Sequence, residues 1–293
     1  MRRASVLNQE QAHKVSVVIP TYNRLDVLPR ALDSVFGQSL AAFEVIVVDD
    51  GSTDGTADWV RENYPAARII EQENRGVSAA RNTGIQASRG DWLAFLDSDD
   101  AWLPKKLQTQ MDALIQEPGM RLCHTEEIWI RNGKRVNQMK KHQKSGGWIF
   151  ERCLELCCIS PSSVVLKREL LDTLGGFDES LPACEDYDLW LQICAREAVL
   201  YIQTPLINKY GGHEDQLSRL HPAMDRFRIQ ALEKIAAASD IDDDKRQLAR
   251  LEIKKRLEIL IIGARKRGNM EWLALFQDQL DEVQTVLNTE ANP

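Results

Sequence analysis

The chain is poor in several features, and each shortage removes a class of protein. No apolar run in its 293 residues approaches the roughly 20 that a membrane span needs. The opening stretch, MRRASVLNQEQAHK, has no apolar core of the signal-peptide kind. Together these set the expectation of a cytoplasmic protein. Positive charge is not in excess: the net charge is −7, which argues against general nucleic-acid affinity. Glycine is missing where a dinucleotide fold needs it. The first strand-like run, VSVVI, is followed by PTYNR rather than by G-x-G-x-x-G, and the Walker pattern is absent too. Phosphates are therefore not held mainly by a glycine-rich loop. Cysteine is present but not in a ligand pattern. Cys153, Cys157 and Cys158 stand at helical spacing, with no second cluster to complete a zinc site. With Cys123, Cys184 and Cys194 they read as free, buried thiols.

What is there is an alternation. Hydrophobic residues make up 43%, enough for one large domain or a domain plus an appendage. Residues 15–19, 43–48, 67–71 and 91–96 are short, β-branched or apolar runs that read as buried strands. Helical patterns separate them, over 25–38, to 63 from a cap at Thr53 and Asp54, and over 77–88. Four strand–helix alternations predict a parallel α/β sheet, with ligands beyond the carboxyl ends of its strands. Polar clusters follow the strands there. Tyr22 can stack on a base, and Asp50 can accept hydrogen bonds from a base or ribose. The last run ends in Asp97, Asp99 and Asp100. Three such carboxylates repel unless a cation sits among them, and hard oxygen donors suit Mg²⁺ or Mn²⁺. The plainer reading is an acidic turn capping a helix with Pro104 in its first turn.

The segments VSVVIPTYNR, VIVVDDGSTDGT, ENRGVSAARNTGI and WLAFLDSDDAWLPKKL, followed by SPSSVVLKRELLDTLGGFDESL and CEDYDLWLQI, resemble the family 2 glycosyltransferases of the GT-A fold. The resemblance covers residues 14–218, in the family's order. It implies a Rossmann-like, mostly parallel sheet flanked by helices. It implies transfer of a hexosyl or N-acetylhexosaminyl group, with inversion, from a nucleotide-sugar to an acceptor hydroxyl in glycan synthesis. A UDP-linked donor is the family's commonest case. Pro20, Thr21, Tyr22 and Asp50 would hold the nucleoside, and Asn74, Gly76, Arg81 and Asn82 would complete that wall. Asp97-Ser98-Asp99 would be the D-x-D motif, with Asp99 on the Mn²⁺ or Mg²⁺ ion and Asp97 and Ser98 on the donor. Asp186 would be the general base, although acids at a helix start are also favoured by its dipole. The family's Y-R-x-H-like segment reads Tyr210-Gly211-Gly212-His213 here, with glycine where arginine is common. It implies His213 as a second metal ligand, with His221 the weaker alternative.

On this reading residues 1–13 are a polar tail, 14–118 the nucleotide-sugar half and 119–218 the acceptor half. The acceptor could be a saccharide, a lipid-linked sugar or another hydroxyl compound. The acceptor half has a strand and an Asn132-Gly133 turn. Its basic stretch KRVNQMKKHQKSGG is either a flap over the donor or a solvated loop. A helical pattern follows at 148–158, a strand at 162–166 and a helix at 168–174 ended by Gly175-Gly176. Two strands are expected at 198–202 and 206–210. Residues 219–293 form a helical appendage with breaks near 239–240 and 268–269. Ala249, Ile253, Leu257, Leu260, Ile261 and Ala264 share one face, and Leu248, Leu251, Ile259 and Ile262 lie roughly opposite, predicting packing on two sides. Nine Lys or Arg against two Glu in 245–267 fit either anionic lipid at the inner face of the membrane or a solvated bundle helix. A second subunit is the other candidate for the uncovered side. Two other functions share some of these features. A sugar nucleotidyltransferase would want a glycine- and basic-rich loop after the first strand. A silent nucleotide-sugar binding protein has no need to keep Asp97, Asp99, Asp186 and His213 together.

Overall fold

The computed structural model describes residues 14–212 and 221–291. They fall into two compact units. One holds residues 14–149, 158–182 and 197–212; the other holds 150–157, 183–196 and 221–291. This differs from a single boundary at 218, because two short segments join the C-terminal helices.

The first unit begins with β1 (Val15–Thr21), α1 (Leu28–Phe36), β2 (Glu44–Asp49), α2 (Thr56–Asn63), β3 (Ala67–Glu71), α3 (Val77–Ala87) and β4 (Trp92–Phe95). It continues with β5 (Ala101–Trp102), α4 (Lys106–Gln116), β6 (Leu122–Arg131), β7 (Lys134–Val136), β8 (Val165–Lys167), α6 (Arg168–Leu174) and β9 (Leu200–Gly211), α5 being the intervening helix of the second unit. One nine-stranded sheet runs β3-β2-β1-β4-β8-β6-β9-β5, with β7 paired to β6. β3, β2, β1 and β4 are mutually parallel, as the alternation predicts. Val15, Val17 and Ile19 of β1 share a core with Leu28, Leu32 and Val35 of α1. That is the period of two facing the period of 3.6. On the other face α3 lies so close to β1 that a Cβ on Gly84 would meet Val18 Cγ1 at 2.3 Å.

Two local expectations shift and a third holds. Residues 162–164 are not strand: Pro161–Ser163 form a 3₁₀ turn, closed by Ser163 N–H and Oγ–H to the Ser160 carbonyl, and β8 starts at Val165. The two strands expected around 198–210 are one, β9. Its pairing with β6 slips at Thr125/Glu126 and Glu126/Ile128, which accommodates Pro205 within a strand. The Asn132-Gly133 turn does join β6 and β7, with φ of 49° and 71°. Both residues take the left-handed conformation of a two-residue hairpin.

The second unit contains α5 (Phe150–Glu155), α7 (Glu185–Arg196), α8 (Asp225–Ala237), α9 (Asp243–Arg267) and α10 (Met270–Ala291). The helix expected over 148–158 shortens to α5. Its last carbonyls, Leu154 and Glu155, accept from the buried Arg256 guanidinium at 2.7 and 2.9 Å, and Tyr187 Oη–H also donates to Leu154. These bonds draw α5 and α7 into the helical unit. Ala249, Ile253, Leu257, Leu260, Ile261 and Ala264 are all buried. On the opposite side Leu248 is half-buried and Leu251, Ile259 and Ile262 are exposed at 47, 51 and 53%, so among the described residues the cover is mainly on one face.

Lys106 is fully buried in the first unit. Its Nζ donates to the Val164 carbonyl at 3.2 Å and lies 4.0 Å from the Trp102 ring centroid. Burial lowers its pKa from 10.5 to about 7. Between those values the unfolded chain holds the extra proton, so folding stability rises with pH across that window. Urea unfolding of wild type and Lys106→Met at several pH values should show wild type gaining relative to the variant, by up to about 1.4 kcal/mol per pH unit. A difference that does not change with pH refutes the buried, neutralising lysine.

Candidate active site

The strand order sets the place of the site. The chain moves from β1 outward to β2 and β3, then crosses to β4 on the other side of β1. Ligands of open α/β sheets bind beyond the carboxyl ends at such a reversal. Pro20, Thr21 and Tyr22 lie at the end of β1. The Asp50 loop follows β2, the Asn74 loop follows β3, and Asp97 to Asp100 follow β4.

The first two loops are locked together. Asn23, at φ 50°, donates its N–H to Ser52 Oγ at 2.8 Å and accepts the Thr53 N–H on Oδ1 at 2.8 Å. Asp54 accepts from the Leu25 N–H and, on its other oxygen, from the Thr56 N–H. Helix α2 is therefore preceded by Asp54 and an N-cap Gly55, not capped by Thr53. Thr21 is buried, and its hydroxyl has no hydrogen-bond partner among the described residues. Tyr22 beside it is 47% exposed. An unsatisfied hydroxyl next to an accessible ring suits a bound nucleoside.

Asp50 is buried, and its carboxylate organises the third loop. It accepts Gln72 Nε2–H at 2.7 Å, the Arg75 N–H at 3.0 Å and the Gly76 N–H at 2.8 Å. Gly76 stands at φ 91°, a conformation that side chains rarely adopt. Asn74 is exposed on this loop. Most of the accepting capacity of Asp50 thus goes to the loop, and a nucleoside contact would use what is left.

The acidic cluster has divided roles. Asp97 pairs with the buried Arg81 at 2.8 Å, and Arg81 also lies 4.9 Å from the Phe177 ring centroid. Ser98 is buried and Asp99 half-buried. The Asp99 carbonyl accepts from the Arg30 guanidinium, which sits 3.6 Å over the Tyr210 ring. Asp100 is 1% exposed. Its oxygens accept from Ser162 Oγ–H at 2.7 Å and the Tyr210 N–H at 2.9 Å. Burial, reinforced by the charges of Asp99 and Asp97 and opposed by Lys209, pushes its pKa well above the usual carboxylate range. Asp100 is thereby a structural anchor facing away from solvent.

Asn82 has a different task from the one expected. Its amide donates to the Phe177 carbonyl at 2.8 Å and to Glu179 Oε1 at 2.9 Å, and its oxygen accepts the Phe177 N–H at 2.9 Å. Both donors are taken by the 177–179 loop, so in this structure it clamps that loop. Asp186 lies in the second unit, at the start of α7. It is half-buried, with Oδ2 3.3 Å from Cys157 Sγ. Asp188, by contrast, is buried against Lys234 Nζ at 2.9 Å. Cys184, just before this helix, has φ 67°, a strained conformation for a residue with a Cβ. His213 lies outside the described residues. His221 packs edge-on against Phe227 in the second unit. Ser162, Tyr210, Arg30 and Asn23 were not anticipated as site residues, although Ser162, Asn23 and Tyr210 stand in segments that match the family.

The sheet is mixed rather than mostly parallel, because β8, β7 and β5 each run antiparallel to their neighbours. A mixed sheet carrying acids after β4, beside an exposed tyrosine after β1, defines the GT-A-like class of nucleotide-sugar-binding α/β proteins. Solved structures agree on the fold. S. aureus TarS 1–349 in complex with UDP-GlcNAc superposes with a TM-score of 0.65 at 17% identity, covering 92% of each chain. A mannosyltransferase of Pyrobaculum calidifontis, in complex with GDP-Man and Mn²⁺, gives 0.55 at 20% identity, covering 95% of this chain and 84% of that one. The chain belongs to glycosyl transferase family 2, whose model matches residues 16–175. An Escherichia coli UDP-Glc:α-D-GlcNAc-diphosphoundecaprenol β-1,3-glucosyltransferase, WfgD, is 34% identical over 208 residues, 70% of this chain and 79% of that protein. The chain spans less of other curated relatives, 28% of a longer one from Rickettsia bellii and 61% of one from Haemophilus influenzae.

The role of Asp50 can be checked by stability. Asp50→Asn replaces one acceptor oxygen with a donor facing N–H groups. It should cost about 1.5–3 kcal/mol in urea unfolding, the usual range for a hydrogen bond to a charged group. An unchanged unfolding free energy would remove Asp50 as the buttress of the third loop.

Proposed function

We propose that this protein transfers a sugar from a nucleoside-diphosphate donor to an acceptor hydroxyl, with inversion. The reading is carried by one juxtaposition at the carboxyl edge of the sheet. The orphaned Thr21 hydroxyl, exposed Tyr22, the Asp50-held loop and the Asp97–Arg81 pair all lie in one unit. The donor is UDP-linked, in keeping with the fold neighbour that binds UDP-GlcNAc. The acceptor is a saccharide on a diphosphate-linked lipid, in keeping with the printed activity of WfgD.

Asp99 would hold a divalent cation, with Asp97 and Ser98 beside it. The oxygen donors fit Mn²⁺ or Mg²⁺. Among the described residues no group of three or more His, Cys, Asp or Glu is arranged to hold a metal, so donor phosphates and His213 would complete the set. When bound, the ion supplies Lewis-acid stabilisation of the departing diphosphate. Arg81, by pairing with Asp97, fixes that carboxylate before the donor arrives. On the acceptor side a neutral hydroxyl is a weak nucleophile, and Asp186 would take its proton.

Two variants separate these roles. Asp99→Asn should lower the Mn²⁺-dependent affinity for UDP, measured by calorimetry, by at least about tenfold. Asp186→Asn should keep UDP affinity and lose transfer by roughly 10²–10⁴-fold. Unchanged affinity in the first removes Asp99 as ligand; normal transfer in the second removes Asp186 as base. Donor turnover should release nucleoside diphosphate, whereas pyrophosphate release would identify a nucleotidyltransferase.

No helix among the described residues is long and apolar enough to cross a membrane. We assign the exposed Leu251, Ile259 and Ile262 side of α9 to docking, on a second copy or at the inner membrane face. Light scattering and vesicle flotation of Ile259→Glu/Ile262→Glu should show a change in mass or lipid binding with intact UDP affinity. No change in either property rules docking out.

A further inference from the structure

We infer that the basic β6–β7 hairpin, with the loop that follows it, binds the diphosphate of the acceptor. This rests on the acceptor reading above. Between residues 131 and 147 there are six Lys or Arg and no Asp or Glu, in a protein of net charge −7. Arg131, Lys134, Arg135, Lys140 and Lys141 are all exposed. Concentrated cations of this kind create a local field that attracts anions. The crowding is visible at His142, whose pKa is lowered by burial and by Lys141, Lys144 and Arg131, against the opposing charge of Glu127.

The segment is held firmly. Gln138 donates to Glu126 Oε1 at 2.9 Å and to the Glu127 carbonyl at 3.1 Å. Lys144 is buried, with Nζ 3.4 Å from Glu127 Oε1 and 3.1 Å from the Cys158 carbonyl. His124 Nε2 meets the Ser145 carbonyl at 2.9 Å, and Gly147 pairs with Val199. The acids at its base already have partners. Glu127 accepts from Ser160 Oγ–H and Trp129 Nε1–H, and Glu126 from Tyr201 Oη–H. The outer cations are therefore presented by a fixed scaffold, and among the described residues no ion pair neutralises them.

The sheet puts this surface beside the acidic cluster. Tyr210, whose N–H holds Asp100, is the register partner of Ile130, and Gly211 is that of Arg131. The hairpin turn thus begins one rung beyond the strand position tied to the end of β4. Met139 and Trp148, exposed at 59 and 67%, bring apolar area into the same segment. Cations next to apolar side chains match a charged diphosphate between a sugar and a hydrocarbon chain.

The test uses the full chain and two synthetic probes: an N-acetylglucosaminyl diphosphate carrying a decyl chain, and neutral decyl N-acetylglucosaminide. Wild type should bind the diphosphate probe at least about tenfold more tightly. That preference should fall with added salt. Changing Lys134, Arg135, Lys140 and Lys141 together to Glu should abolish it while UDP affinity stays within about twofold, which keeps donor and acceptor failures apart. Should the Glu variant not fold, the same four changed to Gln carry the test. A wild type without the preference overturns the proposal together with the acceptor reading. A preference that survives in the variant overturns this site alone. Loss of binding to phosphatidylglycerol vesicles, with probe binding intact, overturns it in favour of a bilayer contact.

Discussion

A single buried carboxylate, Asp100, joins the parts on which the site depends. Its oxygens take one hydrogen bond from the 3₁₀ turn before β8 and one from the backbone of β9. The same Ser162 hydroxyl accepts the Asp97 N–H at 3.1 Å. One serine therefore fixes both ends of the acidic run, and a buried acid that lost either partner would be left badly solvated. Asp99 gains from this arrangement. It is placed between Asp97 and Asp100, both held by hydrogen bonds from elsewhere in the fold.

The helical unit uses the same device with the sign reversed. The buried Arg256 pairs with Asp225 at 2.6 Å and Glu252 at 2.9 Å while capping the last carbonyls of α5. Removing such a charge from its partners is costly, because the remaining ones stay buried. Around this hub α5 and α7 keep their positions, and Asp186 stands half-buried at the start of α7. The strained Cys184 turn just before it persists because the packed helix behind it over-determines the backbone.

The alternation of strands, the hairpin at Asn132-Gly133 and the buried stripe of α9 were legible in the sequence. Each is a local pattern: a short β-branched run, a turn that favours φ > 0, a 3.6-residue period. The proposed nucleoside wall was legible only through motif resemblance, and the structure adds partners that the motifs did not suggest. Asn82 clamps the Phe177 loop, and Asp50 supports the Asn74 loop, because both partners lie where only the folded chain brings them. Ser162 and Tyr210 were hidden for the same reason: a serine in a strand-like run and a backbone N–H carry no signal of a distant carboxylate. The cut between units was hidden too. Tertiary bonds to Leu154 and Glu155, not composition, assign α5 to the helices.

The spacing of the Asp100 tethers has a consequence for synthesis. Its partners come 62 and 110 residues later in the chain. Strands β1 to β4 emerge first, and each finds its neighbour within that stretch. Asp100 then waits, hydrated and charged, until β9 has left the ribosome. Chains grow from the N-terminus at about 5–20 residues per second, so the wait lasts several seconds or more. The parallel core of the sheet can thus exist before its acidic edge is set, and the edge closes only when nearly the whole first unit has been made.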